Sequence, residues 1–193
     1  MNHRVGVLAL QGAYQKHIEA LTRLGIESRL VRTPAELDDC TALIIPGGES
    51  TTISLLIQKN ALYEPIKAFA KNHPVMGVCA GMIMLATEVD DARVTPLGLI
   101  PFKALRNHYG RQVHSFSAGI HLDFDTDGAD FPALFIRAPG AEQIADNVEV
   151  LARYNDENII LGYGQHMALS FHPELTDDTR IHQYWLHSPS HQN

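Results

Sequence analysis

Cysteine is scarce in this chain. Two in 193 residues, Cys40 and Cys79, cannot build a disulfide framework and lack the paired spacing of a zinc site. The expectation is a reducing, cytoplasmic setting with no metal and no organic cofactor. Long apolar runs are missing too: none approaches the roughly 20 residues that cross a bilayer. The N-terminal VGVLAL is short for the apolar core of a signal peptide, and no small-residue cleavage site follows it. Positive charge is in deficit, 15 Lys and Arg against 22 Asp and Glu. The net −7 argues against a general nucleic-acid surface, which needs a basic face. Glycine-rich phosphate signatures are lacking as well. LALQGAYQ does not fit G-x-G-x-x-G, and no lysine follows PGGES before Lys59. No repeat, low-complexity block or linker breaks the chain, so residues 1–193 are expected to form one domain.

What is present is an alternation. RVGVLAL (4–10), IESRLVR (26–32), TALIIP (41–46) and PVMGVC (74–79) read as buried strands. Helical patterns separate them at 13–24, at Pro34–Glu36, over TTISLLIQKN and over 62–72, and MIMLATE reads as the start of another. This predicts an α/β fold: an open, mostly parallel sheet with helices on both faces and right-handed crossovers. The second half is β-rich, from LGLIPFKALRN through HSFSAGIHLDF, PALFIRA, VEVLARYN and ENIILGYGQ to MALSFHP, with turns at Asp127-Gly128 and Asn155-Asp156. These segments predict antiparallel additions to the sheet. A last helix is expected over 176–187 with Ile181, Tyr184 and Trp185 on one side, followed by a frayed SPSHQN tail.

Three stretches could carry chemistry. In VMGVCAG, Cys79 stands between Gly77 and Gly81, after a strand and before a helix, the arrangement of a nucleophile elbow. The helix start would favour thiolate. A buried, inert cysteine is the competing reading. A thiol nucleophile needs a base, and most of the 11 histidines have bland readings: His3 and His191 are terminal, His17 lies on a helix face, and His182 and His187 sit in a polar helix. His172 differs. It closes the apolar run MALSF, and Pro173 disfavours helix at the residue before it. On an extended chain Glu174 then points to the same side as His172 and can orient the imidazole. A simple strand-end turn is the alternative. Third, PGGES (46–50) ends a strand and opens a helix. An N–H near Gly47-Gly48, that of Gly48, paired with the Ala80 N–H would form an oxyanion hole; a plain turn is the other possibility.

Together these residues resemble the class I glutamine amidotransferases, which use a Cys–His–Glu triad on an open α/β sheet. VGVLALQGA, PGGEST, VCAG, RNHYGRQ, FIRAP and SFHPELT, arriving in order over nearly the whole chain, narrow the likeness to the glutaminase subunits of pyridoxal 5′-phosphate synthase. The resemblance implies Cys79 as nucleophile, His172 as general base and acid, and Glu174 as its orienting partner. It places Gly48, Glu49, Ser50, Arg106, Ile136 and Arg137 along bound L-glutamine. Glu49 could meet the substrate ammonium group and an arginine its carboxylate, although without the resemblance Arg106 and Arg137 read as solvated strand-end arginines. The chain departs from the pattern in GVCAGMIML, where GTCAGLILL-like residues are expected, and at His108.

The implied partner is a separate synthase subunit. It would combine the ammonia with ribose 5-phosphate and glyceraldehyde 3-phosphate, and low activity alone should rise on assembly. The last helix and LALQGAYQKH are candidate contact surfaces. Two alternatives remain: a glutaminase subunit serving histidine or anthranilate synthesis, and a non-catalytic α/β protein whose Cys79 senses redox state. A cysteine peptidase fits the narrower motifs less well.

Overall fold

The structure is a computed structural model that describes residues 4–106, 108, 115–125 and 128–187. Most of RNHYGRQ, His114, Asp127 of the expected turn and the SPSHQN tail lie outside the described residues.

The first half follows the expected alternation. β1 (Arg4–Leu8) leads through α1 (Tyr14–Arg23) to β2 (Glu27–Val31), α2 (Pro34–Leu37) and β3 (Ala42–Ile45). α3 (Ser50–Lys59), α4 (Tyr63–Ala70), β4 (Val75–Val78) and α5 (Ala80–Leu85) come next. Local chemistry sets the boundaries. Thr33 and Glu36 form a capping box around α2, with Pro34 at the first helical position where its missing N–H is harmless. Gly25 takes φ +67° just beyond α1, where a Cβ would be strained.

The second half runs through β5 (Ala86–Val89), β6 (Ile100–Leu105), β7 (Ser115–Ile120), β8 (Phe131–Ile136), β9 (Gly140–Glu142), β10 (Glu149–Tyr154), β11 (Glu157–Tyr163) and β12 (His166–Leu169). A 3-10 turn, Pro173–Leu175, and α6 (Arg180–His187) close the described chain.

The main sheet has seven strands in the order β10-β11-β12-β4-β3-β1-β2. β2, β1, β3, β4 and β12 are parallel, and only β11 and β10 are antiparallel additions. The expected architecture therefore stands, with two corrections in the second half. MALSF contributes a parallel strand: β12 returns from the antiparallel β11 and so lies alongside β4 in the same direction. The other segments leave the main sheet and form a three-stranded sheet, β5-β6-β9, and a β7-β8 hairpin. The MIMLATE helix is also cut short, because Ala86 and Glu88 pair with Ile100 and Lys103 of β6.

Strand alternation divides the core. Leu43 and Ile45 of β3 face one layer with Ile53, Ile57, Ile66 and Met82 from α3, α4 and α5. Ala42 and Ile44 face the other, with Leu21 of α1, Ile181 and Trp185 of α6, and the β7-β8 hairpin. The parallel strands are buried on both faces, which explains their unbroken apolar runs. β4 and β12 sit side by side in the middle of this sheet and end at the same edge.

Candidate active site

At that edge the chain turns sharply at Cys79, with φ 52° and ψ −106°. A left-handed φ in a residue with a Cβ costs on the order of 1–3 kcal/mol and persists only where neighbours enforce it. Here Cys79 N–H donates to the Leu169 carbonyl of β12 at 2.7 Å, and its own carbonyl accepts from Ile83 N–H of α5 at 3.3 Å. The flanking glycines answer to close approach. A Cβ on Gly77 would lie 2.4 Å from the Gly81 carbonyl oxygen, and one on Gly81 would lie 1.9 Å from that of Ile45. The Cys79 thiol lies 3.8 Å from the Ile136 carbonyl oxygen.

β12 delivers the base. After Leu169 the chain leaves the sheet, and His172 N–H donates to Leu134 of β8 at 2.9 Å. Pro173 then opens the 3-10 turn that carries Glu174. The contact expected between the two side chains forms through this turn rather than along an extended strand: His172 Nδ1 and Glu174 Oε1 are 2.7 Å apart. Both are buried, at 7% and 2% exposure. Burial by itself would lower the His172 pKa, but hydrogen bonds to the Cys79 and Glu174 side chains and their charges overcome it and raise it to about 10. For Glu174, burial acts upward and is outweighed by His17 and His172, which hold the carboxyl below its ordinary range. A Cβ on Gly47 would lie 2.5 Å from His172 Cε1 and 3.4 Å from Cys79 Cβ, so the PGGES turn rests directly on this pair.

PGGES is fixed from the other side by the loop after β1. Ala13 N–H donates to the Gly47 carbonyl at 3.0 Å. In a trans peptide this turns the Gly48 N–H away from Ala13. Gln11 Oε1 accepts from Glu49 N–H at 2.9 Å. Glu49 in turn caps α3, its carboxylate accepting from Thr52 N–H at 2.7 Å, Thr52 Oγ1 at 2.8 Å and Thr51 N–H at 3.3 Å, and from Thr51 Oγ1. Burial opposes ionisation of Glu49, but the Thr51 and Thr52 hydrogen bonds win and lower its pKa to about 2. Arg106 Nη2 donates to the same carboxylate at 2.7 Å, and Nη1 donates to Asp91.

Every candidate residue except Glu174 lines one cleft of about 340 Å³. That lies at the lower end of the roughly 300–1,000 Å³ typical of small-molecule sites. Glu174 stands behind His172, out of the cleft. Arg137 reaches the cleft from an exposed position with φ 44°. Gln11, Gly12, Ala13, Ile83 and Leu175 line it too and were not singled out from sequence, although LALQG signalled the first two. His17 does lie on a helix face and His182 in the last helix, but on their buried sides. Both are fully buried. The signal was available: each sits three and four residues before buried apolar ones, Ala20 and Leu21 for His17, Trp185 and Leu186 for His182. No group of three or more His, Cys, Asp or Glu side chains suited to a metal ion lies among the described residues.

A cysteine on a strained elbow, an imidazole in the same cleft held by a buried carboxylate, and Gly48 and Ala80 lining that cleft form a constellation suited to acyl transfer through a thioester. Residues 7–190 match the model of the SNO glutamine amidotransferase family, and the chain belongs to that family. Among its relatives is the pyridoxal 5′-phosphate synthase subunit PdxT of Dehalococcoides mccartyi, 48% identical over 187 residues and covering 95% of each chain. The protein of the same name from Thermococcus onnurineus is 47% identical over 193 residues, covering 95% of this chain and 97% of its own. A crystal structure described as a glutamine amidotransferase superposes with a TM-score of 0.88 at 42% identity, covering 94% of this chain and 96% of the other.

Proposed function

We propose that this protein hydrolyses L-glutamine to glutamate and ammonia and passes the ammonia to a separate pyridoxal 5′-phosphate synthase subunit, acting as a single cytoplasmic domain. The observation that carries this is Cys79 at φ 52° in the cleft it shares with His172, whose Nδ1 is 2.7 Å from the buried Glu174. His172 takes the thiol proton, and its raised pKa lets it hold that proton. The thiolate attacks the carboxamide carbon, and the Gly48 and Ala80 N–H groups stabilise the oxyanion. Ammonia leaves with a proton from His172. Water activated by the same imidazole then cleaves the thioester to glutamate. Glu174 keeps Nδ1 protonated and the ring aimed at the sulfur. Gly48, Glu49, Ser50, Arg106, Ile136 and Arg137 bind the amino-acid end of glutamine.

The names of the relatives support vitamin B6 synthesis as the destination of the ammonia. The test is glutamate release from L-glutamine with and without the synthase subunit, for wild type and Cys79→Ala. Stimulated turnover by wild type and a fall of about 10⁴-fold in the mutant are expected. Turnover indifferent to this synthase would direct the ammonia elsewhere, such as histidine or anthranilate synthesis. No turnover in any mixture would overturn the glutaminase reading.

A further inference from the structure

Glu174 has two carboxylate oxygens, and the proposed mechanism uses one. Oε1 faces His172; Oε2 is buried and, among the described residues, has no partner at hydrogen-bond distance. The group facing it is His17 of α1, whose Nε2 lies 3.7 Å away and is equally buried and unpartnered. Leaving either buried atom unpaired is costly, more so for a charged group. A bridging water would need about 4.5 Å or more between the two atoms, so a direct N–H···O bond is the arrangement that satisfies both.

The other nitrogen of His17 fixes the tautomers. Nδ1 of His17 lies 3.5 Å from Nε2 of His182 on α6, with the two rings edge to face. If His17 Nε2 carries the proton, Nδ1 is an acceptor and His182 Nε2–H supplies it. One direction of donation then runs His182 to His17 to Glu174, with His172 donating from the other side. Burial lowers the pKa of His17, and lowers that of His182 to about 3, so both stay neutral and the tautomers persist.

Resting on the triad reading above, we propose that His17 is a positioning residue, its Nε2–H holding the second oxygen of Glu174 and His182 holding His17 in the donating tautomer. The ionisable groups facing this row are Cys79 and His172 at one end and Arg23 at the other. β8, which also packs on the 3-10 turn, presents FPALFI and nothing ionisable. With the thiol proton on His172, the row carries one net negative charge. Removing an N–H donor from a buried anionic row raises the pH at which it takes up a proton, whichever member receives it.

The test is the rate of Cys79 alkylation by iodoacetamide against pH, read by mass spectrometry on the Cys79 peptide so that Cys40 does not interfere. His17→Leu should move the acidic midpoint up by about one pH unit, so that at the wild-type midpoint it reacts about fivefold more slowly. His17→Gln, which keeps an N–H near the position of Nε2, should restore the midpoint. An unmoved midpoint in His17→Leu, or an equal shift in both variants, would overturn the proposal in favour of packing alone. Imidazole ¹⁵N shifts of the wild type give a second test that needs no variant: a neutral Nε2–H tautomer for His17 is expected, and an Nδ1–H tautomer would overturn it. Neither readout uses glutamine, so a wild type inactive on glutamine would sink the glutaminase reading alone.

Discussion

The two ends of the cleft are built on opposite lines. At one end Cys79, His172 and Glu174 are buried and held by the backbone of three strands, with His172 and Glu174 in direct contact. At the other end the charged groups are engaged with one another. Glu49 caps α3 and pairs with Arg106, which also pairs with Asp91, and the Glu49 side chain is 42% exposed. The chemical end is preorganised, whereas the recognition end holds internal pairs that glutamine must compete with or exploit. Low dielectric makes the first set strong and unforgiving; solvent and mutual pairing make the second weaker and easier to rearrange.

That contrast can be broken by mutation. Glu174→Gln keeps the volume but removes the charge behind His172. Its kcat should fall about 10³-fold, with KM within a few-fold of wild type, in steady-state assays with the synthase subunit. Arg106→Gln should do the reverse, raising KM for glutamine about tenfold while kcat moves little. A fall in kcat as large as that of Glu174→Gln would mean that the recognition end takes part in chemistry. The elbow itself can be weighed by denaturant unfolding. Cys79→Gly should be more stable than Cys79→Ala by about 1 kcal/mol, because glycine alone accepts φ 52° without strain. An effect of similar size belongs to the exposed end. Glu49→Gln should lose about 1 kcal/mol at neutral pH through its weakened cap. Because the Glu49 pKa is lowered from 4.5 to about 2, its stabilising contribution is complete above 4.5 and disappears as pH falls through about 2. Urea midpoints of wild type and variant should therefore converge in acid.

Much of this was legible in the residues. Apolar runs at β1, β3 and β4 announced a parallel sheet buried on both faces, and Gly-x-Cys-x-Gly announced the elbow. Local pattern could not show that β12 is parallel, since its direction follows from the β10-β11-β12 meander, a long-range fact. Nor could it show that Glu49 is absorbed in capping Thr51 and Thr52, or that Arg106 finds Glu49 across 57 positions. For His17 the local signal of burial is helical spacing to Ala20 and Leu21, not the polarity of the side chain.

The pairing of β12 with β4 has a consequence for how the protein is made. The proposed nucleophile ends β4 and its base follows β12, so the two meet only when strands far apart in sequence lie side by side. A ribosome releases Cys79 long before His172 exists, and the growing chain carries an ordinary thiol with no base beside it. β12 is the last parallel strand to be synthesised, and under the proposed mechanism it is also the one that completes the site, so a chain truncated before it would lack the base.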